Sequence, residues 1–258
     1  MIKTKKKIAI AYDFDGTLAP GNMQEHSFIP DLGMSVGEFW EKADAYAKEN
    51  NTDRILAYMY LMIKEASYKE LSIRRESFVD HGRGMNYFPG VEDWFKRTNL
   101  YGKEHGVDIE HYIISSGIRE MVEGTSIYDE FEYVFASGFM YNHDNIAIWP
   151  ALSVNYTNKT QYLFRINKGI KNCWDDAAIN KYIPDEERPV PFENIIYIGD
   201  GETDVPAMKM TKHKGGTAIA VYDPKKPAKK KIADELLTLD RADYSFEADY
   251  TEGSKLDI

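Results

Sequence analysis

The chain has one cysteine, Cys173, in 258 residues. That excludes an internal disulfide and suits a reducing compartment. With no partner motif around it, the thiol reads as idle or packed. A mean hydropathy of −0.51 argues against a membrane-spanning chain. Met1–Lys7 is basic and is followed by five apolar or aromatic residues, as in a leader peptide. Asp13 cuts that stretch short and no small-residue cleavage site follows, so a cytoplasmic protein with no membrane partner is expected. Positive charge is scarce: 32 Lys and Arg against 42 Asp and Glu leave a net charge of −10. No nucleic-acid partner is therefore expected. The run Lys225–Lys231 is the local exception and reads as a solvated loop entering a helix. Neither Gly-x-x-x-x-Gly-Lys-Ser/Thr nor Gly-x-Gly-x-x-Gly occurs, which removes the P-loop and dinucleotide fingerprints. The Asp13 segment is no EF-hand, since Gly16 falls too early and the twelfth position is Gln24. The six histidines show no metal-ligand spacing.

What the chain does have is 43% hydrophobic residues and enough length for a sizeable core with a smaller appended domain. Ile8–Tyr12 is a short apolar run that ends in Asp13-Phe14-Asp15-Gly16-Thr17. Side chains two apart on a strand point the same way, so Asp13 and Asp15 can both face a cleft. Two close carboxylates repel, and a shared cation or a shared proton lets both stay. A second apolar run, Ile195–Ile198, ends in Gly199-Asp200-Gly201-Glu202-Thr203-Asp204, and a third, Tyr112–Ile114, ends in Ser115-Ser116-Gly117. In an open parallel sheet, ligands bind at the carboxyl ends of the strands.

These motifs, in this order, resemble the haloacid dehalogenase-like superfamily, and within it the phosphoserine-phosphatase-like branch with a helical cap. Asp13-Phe14-Asp15-Gly16-Thr17 matches the first motif, Ser115 the second, and Gly199-Asp200 through Asp204 the fourth. The third motif is a lysine. Lys168 is preferred because it follows an extended segment suggested by the alternation of Tyr162, Phe164 and Ile166. Lys159 would replace it if residues 157–167 were helical.

The resemblance implies a phosphatase that uses Mg²⁺ and acts on a small phosphorylated metabolite. Asp13 would be nucleophile and metal ligand, and Asp15 acid/base and ligand through its backbone carbonyl. Asp200 would bind the metal, and Asp204 would bind it through water or hold a neighbour in place. Glu202 is expected to face solvent. Ser115, with Ser116 as its substitute, and Gly117 would hold phosphoryl oxygens, and Thr17 would fix the loop by hydrogen bonds. A phosphotransferase or mutase using the same aspartyl-phosphate, and a non-catalytic phosphate-binding protein, are the alternatives.

The periodicities predict a doubly wound α/β sheet, with residues 1–19 and 87–258 as core and 20–86 as a helical cap. Ser35-Val36-Gly37-Glu38 fits a capping box. A second helix is expected through Ile55, Met59, Met62 and Ile63, and a third from Ser67. Beyond the cap, a hairpin is expected around Asn142–Asn145 and a helix through Ile170, Trp174, Ala177 and Tyr182. Arg74, Arg75 and Arg83 are the cap or hinge cations available to a second anionic group. The segment Ala19–Met23 lacks an acid that would bind a substrate amine.

Overall fold

The computed structural model describes residues 6–258, so expectations for Met1–Lys5 and for the Glu202 side chain lie outside the described residues. Seven strands form one sheet: β1 (Lys6–Tyr12), β2 (Val107–Ile118), β3 (Tyr133–Tyr141), β4 (Ala147–Leu152), β5 (Ile195–Gly199), β6 (Thr217–Tyr222) and β7 (Tyr244–Glu247). Their order is β4-β3-β2-β1-β5-β6-β7, and only the β3–β4 pairing is antiparallel. This is the expected doubly wound α/β fold. β1 lies at the centre, bonded to β2 on one side and β5 on the other, which places the switch of strand order at its end. Because both of its faces are covered, its side chains are apolar on both. Ile10 and Tyr12 join one core cluster, and Ala9 and Ala11 the other.

Helices α1 (Phe28–Asp31), α2 (Val36–Asn50), α3 (Arg54–Tyr68) and α4 (Arg75–Gly82) lie between β1 and α5 (Val91–Glu104). The Ser35 hydroxyl accepts the Glu38 amide at 3.2 Å, satisfying one orphan N–H at the start of α2. Asp53 does the same for α3 through the Ile55 and Leu56 amides. The helix expected from Ser67 does not begin there. Ser67 belongs to the end of α3, where its hydroxyl donates to the Ile63 carbonyl. Phe78 of α4 stacks between Phe28 and Phe139 at 5.6 and 5.0 Å, joining α1, α4 and β3. Burying each such ring is worth roughly 2–3 kcal/mol.

The remaining helices are α6 (Arg119–Glu123), α7 (Lys159–Lys168), α8 (Asp176–Asn180), α9 (Val205–His213) and α10 (Pro227–Thr238). The segment expected to be extended around Tyr162–Ile166 is α7. Its buried apolar residues Tyr162, Leu163 and Ile166 follow the helical period from Lys159, whereas Phe164, needed for alternation, is only half-buried. Gly169 closes α7 in the left-handed region, φ 69°. The helix expected through residues 170–182 is reduced to the five residues of α8, and Trp174 and Tyr182 stand exposed. Among the described residues no helix is long and apolar enough to cross a membrane.

Candidate active site

Asp13 follows the last residue of β1, and its amide donates to the Ile198 carbonyl at 2.9 Å, so the ends of β1 and β5 are tied together. Gly16 has φ +76°, and a Cβ there would lie 2.3 Å from Asp200 Oδ2. The glycine thus allows both the turn and the close approach of Asp200 to the first loop. Asp13 Oδ1 accepts the Phe14 amide at 2.7 Å, and Asp15 Oδ1 accepts the Met23 amide at 2.9 Å. Ser115 Oγ accepts the Gly117 amide at 3.0 Å, which leaves its own O–H to donate elsewhere.

Lys159 is fully buried, and its Nζ lies 2.8 Å from Asp13 Oδ2 and 2.7 Å from Asp204 Oδ1. Lys168, preferred from the sequence, is corrected here. Its ammonium donates to the carbonyls of Ile179 and Lys181, at the other end of α7. The helical rise separates the two lysines, so only the first turn of α7 reaches the strand ends.

Asp204 is saturated. Oδ1 accepts from Lys159 and from the Tyr197 hydroxyl at 2.6 Å, and Oδ2 accepts from the amides of Asp200 and Gly201. Of the two roles expected for Asp204, binding a metal through water or holding a neighbour in place, these contacts are those of the second. Ligand oxygens of Asp13, Asp200 and Asp204 lie within 4.8 Å of one another. Counting Asp15, four carboxylates face two ammoniums, Lys159 and Lys229, the latter 2.6 Å from Asp200 Oδ2. Fully ionised, the set carries two negative charges in excess. Buried oxygen donors with that excess fit a hard divalent cation.

Without one, protons make up part of the difference. Burial pushes the Asp13 carboxyl up to about 7, with Lys159 opposing and Asp204 and Asp200 adding to the rise. Asp15 is held well above the usual carboxylate range by burial and by Asp13. Burial also raises Asp200, against the pull of Lys229. Burial works against the Lys159 charge, yet Asp13 and Asp204 together hold its pKa above the ordinary lysine value.

A cavity of ≈ 520 Å³ opens over these groups, lined by Asp13, Asp15, Ser115, Ser116 and Asp200 on the sheet side. Trp40, Tyr58 and Arg54 face it from α2 and α3. Thr17 and Gly117 do not line it. Thr17 is buried and its hydroxyl has no hydrogen-bond partner among the described residues. The loop is held instead by the Thr17 carbonyl, which accepts the Tyr250 hydroxyl. Gly117 packs under Met23. Arg74, Arg75 and Arg83 are spent on Glu76, Glu123 and Asp80, away from the cavity.

Glu25, Tyr197 and Lys229 are among the residues of the site missed from the sequence. Glu25, two positions beyond the segment found to lack an acid, lines the cavity and accepts from Asn22 and from Trp40 Nε1. Asn22-Met23-Gln24-Glu25 has capping-box spacing, a signal that could have marked it. Tyr197 is concealed within an apolar strand. Lys229 sits in a basic run that reads as solvent-facing.

A family model described as haloacid dehalogenase-like hydrolase matches residues 10–209. An uncharacterized protein of Borreliella burgdorferi is 29% identical, the match covering 96% of this chain and 93% of that protein. Among solved structures, an apo phosphoserine phosphatase superposes with a TM-score of 0.59 at 17% identity, covering 93% of this chain and 94% of that one. A phospho-aspartyl intermediate analogue of phosphoserine phosphatase superposes with a TM-score of 0.53 at 18% identity, covering 94% of each chain. At these identities the structural likeness is one of fold.

Proposed function

The chain belongs to the haloacid dehalogenase-like hydrolase family, and from that premise we propose that it is a Mg²⁺-dependent phosphatase that hydrolyses a small phosphate monoester through an aspartyl-phosphate on Asp13. The observation that carries this is the buried meeting of Asp13, Asp200 and Asp204 around Lys159 with negative charge in excess. A phosphate monoester repels an anionic nucleophile, so attack by Asp13 requires cations that offset both partners and hold them in line. Asp13, Asp200 and the Asp15 backbone carbonyl would hold Mg²⁺, which supplies that neutralisation when bound.

Lys159 opposes protonation of Asp13 and fixes its carboxylate. An Asp13 oxygen bonds to phosphorus as the ester P–O bond breaks. The leaving alkoxide takes its proton from Asp15. Burial and the neighbouring Asp13 hold that carboxyl well above the usual range, which favours the acid form. Water then attacks the aspartyl-phosphate, Asp15 accepts the proton, and phosphate departs with Asp13 regenerated. The Ser115 hydroxyl and the Ser116 amide donate to the phosphoryl oxygens as these gain charge.

Residues 20–86 serve as a cap. The Tyr58 hydroxyl of α3 donates to the Ser116 carbonyl at 2.6 Å, which joins the cap to the phosphate-binding turn. A roofed cavity of ≈ 520 Å³ favours small esters over macromolecules. The Glu25 carboxylate within it makes amine-bearing esters the first to try. The net charge of −10 and the lone, half-buried cysteine support a cytoplasmic enzyme without nucleic-acid or membrane partners. The test is phosphate release from a panel of small monoesters, with Mg²⁺ or EDTA, for wild type and Asp13→Asn. Release should require the ion and fall at least about a thousandfold in the variant. Metal-independent release, or an active Asp13→Asn, would overturn the mechanism. Phosphate delivered to added alcohols would point to a transferase instead.

A further inference from the structure

The basic run Lys225–Lys231 reaches the site at one point. From the first turn of α10, the Lys229 ammonium lies 2.6 Å from Asp200 Oδ2. The next two lysines are engaged along the helix surface, Lys230 with Asp234 at 3.0 Å and Lys231 with Glu235 at 4.0 Å. Two lysines therefore contact the acid cluster, and they are held differently. Lys159 is fully buried between two carboxylates and cannot leave without stranding both. Lys229 holds one carboxylate from the cavity side, and 39% of its side chain is open to solvent.

We propose that Lys229 is an exchangeable counter-cation, pairing with Asp200 in the metal-free protein and giving up that carboxylate when a divalent ion binds the Asp13–Asp200 cluster. This rests on the divalent-metal assignment above. A buried carboxylate without a partner is costly, so a cation that stands in for the ion stabilises the metal-free fold. Once a dication sits on the same carboxylate, the ammonium beside it is repelled in a largely water-free site. The flexible stem of lysine and the solvent behind it make departure easy. Lys159, enclosed on all sides, has no such exit. Ion binding is thus opposed by the salt bridge it must break, and the site is weaker for Mg²⁺ than its acids alone would make it.

Two measurements test this on the full chain. The first is peptide-resolved acetylation of lysines in EDTA and in saturating Mg²⁺. Labelling of Lys229 should rise several-fold with Mg²⁺, while Lys159 stays unlabelled and Lys230 serves as an unchanged reference. The second is calorimetric titration of Mg²⁺ into wild type and Lys229→Met, where the variant should bind about tenfold tighter. Wild type that binds Mg²⁺ with Lys229 labelling unchanged or reduced would overturn the proposal. So would a variant that binds with equal or weaker affinity, since the lysine would then be holding Asp200 in place. Wild type that binds no Mg²⁺ would overturn the metal assignment itself, a result distinct from both. If Lys229→Met fails to fold, the labelling experiment on the unaltered protein decides alone.

Discussion

Tyr12 and Asp13 are neighbours at the end of β1, yet they belong to two buried polar networks of opposite kind. Trp94 Nε1 donates to the Tyr12 hydroxyl at 2.8 Å, that hydroxyl meets His111 Nδ1 at 3.0 Å, and His111 Nε2 meets Asn99 Oδ1 at 3.1 Å. A single tautomer, with the proton on Nε2, satisfies every link: the tyrosine donates to Nδ1 and Nε2 donates to the asparagine. Burial lowers the His111 pKa to about 4, so the ring is neutral and the network carries no charge. The Asp13 network, one residue on, is equally buried but has carboxylates in excess of ammoniums. In the first, donors and acceptors close on themselves, and the result is a fixed joint between β1, β2 and α5. In the second, every pairing leaves charge over, and that surplus is available to a ligand. Closure, more than burial or polarity, separates a structural network from a site.

The largest effect that sharpens this contrast is expected from Lys159→Met. Removing the buried ammonium leaves Asp13 and Asp204 without their shared cation, which should cost about 3–5 kcal/mol in the metal-free protein. Chemical denaturation in EDTA measures it. A loss under about 1 kcal/mol would mean that the carboxylates neutralise themselves by taking up protons, and the two networks would no longer differ in kind.

Next in size is an opposition in pH dependence. Asp13 rises from 3.8 to about 7 on folding, so across that window the folded state keeps a proton the unfolded chain loses, and the Asp13 contribution falls as pH increases. His111 drops from 6.5 to about 4, so the unfolded chain takes up the extra proton, and the His111 contribution rises with pH over that interval. The Asp13 limb is on the order of 4 kcal/mol and the His111 limb on the order of 3 kcal/mol. In EDTA, the stability of Asp13→Asn relative to wild type should therefore grow from pH 4 to 6.5, while that of His111→Gln should shrink. Parallel profiles for the two variants would erase the distinction.

How much of this was legible in the sequence follows the same physics. Central parallel strands are apolar on both faces, so the acids after Tyr12 and Ile198 and the serine after Ile114 stood out as charges and hydroxyls leaving a core. The α/β class followed from the same runs, whereas the strand order had to come from the structure. Lys159 was harder, because Tyr162, Phe164 and Ile166 satisfy a strand period while Lys159, Tyr162, Leu163 and Ile166 satisfy a helical one. Asn155 gave a local hint that was overlooked: its side chain accepts the Thr157 and Asn158 amides, turning the chain just before α7. Lys229 and Tyr197 were not legible at all. Whether a lysine on an amphipathic helix meets solvent or an acid, and whether a strand tyrosine meets a carboxylate, is decided by contacts distant in the chain.

The smallest expected effect is also the sharpest test of closure as a criterion, because Tyr58 satisfies it while lying inside the cavity. Its hydroxyl is buried and donates to the Ser116 carbonyl at 2.6 Å, a neutral pair within reach of the substrate. If closure marks structure, Tyr58→Phe should lower stability by about 1 kcal/mol, the usual worth of a neutral hydrogen bond. Turnover per folded molecule would stay within a factor of about three, with any change falling on KM as the cap fits less well. A loss of tenfold or more in kcat with stability intact would show the opposite: a neutral, closed hydrogen bond can serve the reaction by holding the cap shut, and an uncompensated charge is then only one mark of a site.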